Sequence, residues 1–80
     1  MTSHEPRPRP GEPALTGSAT RGQLAGWRVE IHAAQPSGWD VFYCPPRTLT
    51  VVYNSWGEDW DAALDYGELY GVVWDGGYAR

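Results

Sequence analysis

"SWGEDWDAALDYGELYGVVWD", residues 55 to 75, holds six carboxylates (Glu58, Asp59, Asp61, Asp65, Glu68 and Asp75), five large aromatics and no Lys or Arg. At about 100° per residue, Trp56, Trp60, Ala63, Leu64, Gly67, Tyr70 and Gly71 fall on one stripe. Glu58, Asp61, Asp65 and Glu68 fall on the opposite side. This pattern predicts an amphipathic helix with its rings toward a core and its acids toward water. Ser55 followed by Glu58 fits a capping box, and acids in the first turns suit the positive end of the helix dipole. Ala63, Gly67 and Gly71 would let the helix lie close on its support. Gly67 needs a packing reason, because glycine costs about 1 kcal/mol relative to alanine inside a helix. Gly71 suits the residue just past a helix end. Val72 would sit among the acids if the helix continued, so the helix is expected to stop near Tyr70. "VVW" then reads as a short fourth strand or extended tail, and "DGG" as a turn.

Such a helix needs a surface to cover. In "WRVEIHA" (27–33), Trp27, Val29, Ile31 and Ala33 alternate with Arg28, Glu30 and His32, the period of a half-buried strand. "AQPSG" is a turn, "WDVFYC" (39–44) a second strand that stops at Pro45-Pro46, and "TLTVVYN" (48–54) a β-branched third. A five-residue loop from Ala34 to Gly38 pairs Ala33 with Trp39, Ile31 with Val41 and Val29 with Tyr43. An equal loop from Cys44 to Thr48 pairs Tyr43 with Leu49, Val41 with Val51 and Trp39 with Tyr53. Both registers put the odd-numbered residues on one apolar face, and a one-residue slip would bury Asp40 and expose Trp39. The fold class expected is α+β: a three-stranded antiparallel meander covered by one C-terminal helix, over residues 25–80.

Residues 1–24 read as a disordered tail. "HEPRPRPGEP" alternates proline with charge and "LTGSATRGQ" is small and polar, so neither buries enough apolar surface to offset ordering entropy. Pro10 and Pro13 give one weak PxxP motif. Nothing here resembles a secretory signal or a membrane span, and the single cysteine, Cys44, excludes an intramolecular disulfide, so a reducing cytoplasm is the expected setting.

The charge is uneven. Residues 1–47 set five arginines against Glu5, Glu12, Glu30 and Asp40, a net of +1, whereas residues 48–80 set Arg80 against the six acids above, a net of −5. That acidic half argues against direct nucleic-acid binding, which draws its affinity from Lys and Arg. All six cations are Arg, a bias expected from a GC-rich genome such as that of an actinobacterium or its phage.

Catalytic and metal chemistry finds little support. A nucleophilic Cys44 would need a base, and the expected register sets it opposite Arg28, along the sheet from His32. His32 opposite Asp40 supplies two groups, too few for a closed metal site. Asp61, Asp65 and Glu68 have helical spacing but nothing to tune them for acid–base work. No EF-hand or phosphate loop is present. The chain is therefore expected to be non-enzymatic, without metal or cofactor.

Two surfaces are expected to meet a partner. One is the acidic helix face of Glu58, Asp61, Asp65 and Glu68. The other is the outer sheet face of Phe42, Val52 and Arg28, with Cys44, Thr48 and Thr50 around them. Five Trp, five Tyr and one Phe are more ring surface than one small core hides, which favours an interaction module binding another protein or a second copy of itself. Two other readings follow from the same residues. One is an inhibitor whose acids copy a nucleic-acid backbone; the other is a structural subunit of a larger assembly such as a phage particle.

Overall fold

A computed structural model describes residues 6–9, 11–47 and 53–79. Among these, five strands form one antiparallel sheet: β1 (Leu15–Ser18), β2 (Arg28–Ala33), β3 (Trp39–Cys44), β4 (Tyr53–Gly57) and β5 (Val73–Trp74). Their spatial order is β4-β3-β2-β1-β5. A single α-helix, α1 (Trp60–Leu69), covers one face. The α+β class holds, with an antiparallel sheet wider than the expected meander.

The β2–β3 hairpin has the register that its alternation specifies: Ala33 opposite Trp39, Ile31 opposite Val41 and Val29 opposite Tyr43. The turn closes through Ala34 N–H to the Gly38 carbonyl at 2.9 Å. Val29, Ile31, Trp39, Val41 and Tyr43 are buried on the inner face, and Trp60, Ala63 and Leu64 of α1 pack on them. Trp60 and Leu64 retain 3% and 1% of their exposure.

The next pairing differs. Tyr53 lies opposite Tyr43, not Trp39, and Trp39 meets Gly57. The shift of four residues preserves parity, so odd-numbered residues still face the core. The partners expected for Tyr43 and Val41, Leu49 and Val51, lie outside the described residues, as does most of the expected strand 48–54. Helix packing explains why the strand runs on to Gly57. A Cβ on Gly57 would stand 2.7 Å from Ala63 N and 3.1 Å from Ala63 Cα, so only glycine lets the first turn of α1 cross there.

The expected helix start at Ser55 is therefore corrected. Ser55, Trp56 and Gly57 are strand, Glu58 precedes the helix, and Asp59 is the N-cap, its carboxylate accepting the Ala62 N–H at 2.8 Å. Trp56 leaves the buried stripe for the outer sheet face. The helix end is as expected: Gly71 takes φ +60, Gly71 N–H bonds to Glu68 O and Val72 N–H to Gly67 O, the paired bonds of a Schellman motif. "VVW" does supply a strand, β5. Gly67 has its packing reason, because a Cβ there would meet Trp74 Cζ2 at 2.5 Å.

The tail is also corrected. Leu15–Ser18 sits between β2 and β5, with Gly17 opposite both Val29 and Trp74. Ala19 and Leu24 are buried in the core. A Cβ on Gly17 would stand 2.6 Å from Val73 O. This strand is held by backbone bonds to two neighbours and by close approach, with Leu15 the one apolar side chain of the strand packed on the core, so composition hides it. Further upstream, Pro8, Arg9, Gly11 and Glu12 face His32, Ala33 and Gln35 across a cavity of about 360 Å³. Among the described residues no helix is long and apolar enough to cross a membrane.

Gly57→Ala is expected to destabilise the domain by about 1–3 kcal/mol, because the clashing atoms are helix backbone and cannot rotate away. Asp59→Ala is expected to cost about 1 kcal/mol through the lost cap. Thermal unfolding followed by circular dichroism measures both. A Gly57→Ala protein as stable as the parent would contradict the close helix–strand crossing.

Candidate functional site

The hydrogen-bond phase of the sheet follows from one contact. Ala34 N–H bonds to Gly38 O, continuing the β2–β3 register. Even-numbered residues of these strands therefore bond to each other, and the odd-numbered residues of β3 point their backbone groups at β4. On the far side of β2, Ala19 N–H to Trp27 O fits the same alternation. Tyr53, Ser55 and Gly57, opposite Tyr43, Val41 and Trp39, thus take up the bonds to β3. The N–H and C=O groups of Asn54 and Trp56 point outward.

Among the described residues no strand pairs with that outer edge. Natural sheets blunt such edges with charge, proline or very short strands. The opposite edge, β5, is two residues long. β4, "YNSWG", has five residues and neither a charge nor a proline. It also presents two rings, Tyr53 and Trp56, each 48% exposed.

Both rings are held in place. The Trp56 indole N–H donates to Ser37 O at 3.1 Å. A Cβ on Gly38, whose φ is +83, would lie 2.5 Å from the indole, so Trp56 lies over the β2–β3 turn with its other side in solvent. Tyr53 packs against Tyr43 at a centroid distance of 5.2 Å, and Tyr43 meets Tyr70 edge-on at 5.7 Å. Tyr53 and Tyr70, with Gln23, Leu24 and Trp27, line a cavity of about 370 Å³ at that end of the core. Burial and Tyr53 together raise the Tyr70 pKa. The Tyr43 hydroxyl is buried and has no hydrogen-bond partner among the described residues. Its pKa is pushed up to about 12, chiefly by burial; Ser55 opposes the rise without reaching hydrogen-bond geometry.

The expected outer-face site is more polar than anticipated. Arg28 Nε donates to Glu30 Oε2 at 3.0 Å, and His32 Nε2 lies 2.9 Å from Glu30 Oε1. The His32 hydrogen bond, ahead of the Arg28 contacts and against partial burial, holds the Glu30 carboxyl below its usual range. Phe42, half-buried, meets His32 edge-on at 5.2 Å. Val52 lies outside the described residues. Cys44 does lie opposite Arg28 but is only 4% exposed. Burial, then the Glu30 charge, raises its thiol pKa against the influence of Arg28, which works against a nucleophilic thiolate.

On the helix, Asp65 and Glu68 are exposed and Asp61 is half-buried, while Glu58 stands apart before the first turn. Leu69, 67% exposed, interrupts the acids and lines a shallow cavity of about 300 Å³ with Ala62, Asp65 and Tyr66. Asp75 accepts the Thr16 hydroxyl. Among the described residues no group of three or more His, Cys, Asp or Glu side chains is placed to hold a metal ion.

The edge of β4 is not legible as a site in the sequence, because the capping-box pattern at Ser55 and Glu58 draws Ser55–Gly57 into the helix. Its signal lay in "YNSWG" itself, a strand-like run without a gatekeeping charge. Gln23 and Leu24 were missed because they fell in the presumed tail. No protein-family model matches the chain, and no curated protein or solved structure matches it.

Tyr43 gives a pH signature of this end of the core. Its folded pKa lies above the unfolded value near 10, so the native state holds the proton longer and stability falls as pH rises from about 10 to 12. The shift corresponds to roughly 2–3 kcal/mol, fully present below pH 10. Urea unfolding at pH 8 and pH 11 is expected to show a smaller alkaline loss for Tyr43→Phe than for the parent. At pH 8 the variant should be at least as stable, because the deleted hydroxyl had no partner. Equal alkaline loss in both proteins would contradict the assignment.

Proposed function

We propose that this chain is a non-enzymatic interaction module whose recognition element is the outer edge of β4. A partner in extended conformation adds to the sheet there, bonding to the backbone of Asn54 and Trp56 while Tyr53 and Trp56 supply ring surface on the two faces. The observation that carries this reading is an uncharged, five-residue edge strand bearing two half-exposed aromatics. Strand addition of this kind takes affinity from main-chain bonds and selectivity from alternate side chains. Fixed aromatic platforms contribute contact area at low entropic cost.

The acidic side of α1 supports the rival reading, a nucleic-acid mimic, less well. Leu69 and Tyr66 lie among Asp65 and its neighbours, so the surface mixes apolar with acidic groups and is not an unbroken charge row.

Selection of extended peptides from a display library against the immobilised full chain distinguishes the two. Enriched peptides are expected to shift the backbone amide resonances of Asn54 and Trp56 most, and to stay bound as salt is raised. Asn54→Pro should weaken them at least about tenfold, since it removes an outward N–H and leaves the bonds to β3 intact. Peptides that instead perturb Asp61, Asp65 and Glu68 and leave in salt would overturn the reading in favour of mimicry.

A further inference from the structure

We infer that the strand that fits the β4 edge is the β4 of a second copy of this chain, paired antiparallel about a two-fold axis at Ser55. This rests on the edge reading above and names its occupant. Under that symmetry Ser55 faces its own copy, Asn54 faces the partner's Trp56, and Tyr53 faces the partner's Gly57. Asn54 and Trp56 are the residues whose backbone groups point outward, so both Asn54–Trp56 pairs fall at hydrogen-bonded positions and Ser55 at the non-bonded position between them. Of the two-fold registers that pair outward groups, this one engages both Asn54 and Trp56 of each copy within the strand, whereas an axis at Asn54 or at Trp56 would pair only one of them there.

Side chains agree with it on both faces. On the outer face Asn54, exposed, meets the indole of Trp56; on the inner face the Tyr53 ring comes beside Gly57, where the first turn of α1 crosses the strand. In both pairs the smaller residue stands opposite the ring. Charge also selects this arrangement. Glu58 follows the strand directly, and antiparallel pairing about Ser55 holds the two copies of Glu58 six residues apart along the strand. That is roughly 20 Å, beyond the screening length of physiological salt. Parallel pairing would set them side by side. A closed two-fold contact also uses up the unprotected edge and, among the described strands, leaves β5 at each end of a continuous sheet. Five residues a side make a small interface, so the dimer is expected to be weak and concentration-dependent.

Sedimentation velocity of the full chain over a wide concentration range tests this, with Asn54→Pro and Asn54→Thr alongside. The parent and Asn54→Thr, which keeps its N–H, should pass from monomer to dimer with concentration. Asn54→Pro should raise the dissociation constant at least about tenfold while keeping a cooperative thermal transition. Ser55→Cys provides a second reading that does not depend on how the fold tolerates proline. Non-bonded antiparallel partners place their Cα atoms about 4.5 Å apart, within disulfide range. Mild oxidation by glutathione disulfide should therefore join Ser55→Cys chains covalently, and Asn54→Cys chains much more slowly. A parent protein that stays monomeric at every concentration, or a dimer undiminished by Asn54→Pro and not trapped through Ser55→Cys, overturns the inference. If the pure protein is monomeric while selected peptides still bind Asn54 and Trp56, the second-copy inference alone fails. If those peptides bind elsewhere, the edge reading fails with it.

Discussion

The fold depends on how closely α1 lies on the sheet. Trp60, Ala63 and Leu64 seal the odd-numbered face of β2 and β3, and the approach is set by glycines that leave room for backbone and ring. Gly57 admits the first turn of the helix, and Gly67 admits the Trp74 indole at its last turn. Gly17 admits β5 beside β1. For a chain of 80 residues, with a core near the lower limit for independent stability, these contacts replace the volume that a larger protein would bury.

The same constraint produces the site. Because Gly57 must sit beneath the helix, β4 extends to it, and Trp56 is carried to the outer face, where it lies over the β2–β3 turn. The strand that results has its odd-numbered groups committed to β3 and its even-numbered groups unclaimed among the described residues. Tyr53 joins the edge to the aromatic end of the core, where the buried Tyr43 hydroxyl has no hydrogen-bond partner among the described residues. Packing and recognition are thus consequences of one crossing, with the helix fixing which face of β4 is dry and the ladder fixing which backbone groups are free.

Much of this was legible in the residues. The clean alternation of Val29, Ile31, Val41 and Tyr43 fixed the central hairpin, because a slip by one would bury Asp40. The helical spacing of Trp60, Ala63, Leu64 and Gly67 identified the cover, and Gly71 its end. What stayed hidden has a physical reason in each case. β1 draws its stability from backbone bonds on both sides, and "LTGS" has little apolar side chain to announce it. Ser55 and Asp59 are both good caps, and the choice between them was made by a tertiary contact at Gly57 that no local pattern contains. Of the four acids expected on the wet side of the helix, Asp65 and Glu68 are exposed on α1, Asp61 is half-buried and Glu58 precedes the helix. As a candidate surface they are broken up by Leu69, whose exposure follows from where the helix sits on the sheet. The outer sheet face looked apolar through Phe42 and Cys44, yet Glu30 gathers Arg28 and His32 along it and makes it a polar ladder.

Among the described strands, β4 is bonded through alternate residues on one side only. Amide hydrogen exchange in dilute protein, resolved residue by residue, tests it most directly. Slow exchange at Tyr53, Ser55 and Gly57 with fast exchange at Asn54 and Trp56 is the expected result. Protection that is uniform along the strand, or strongest at Asn54 and Trp56, would contradict the account.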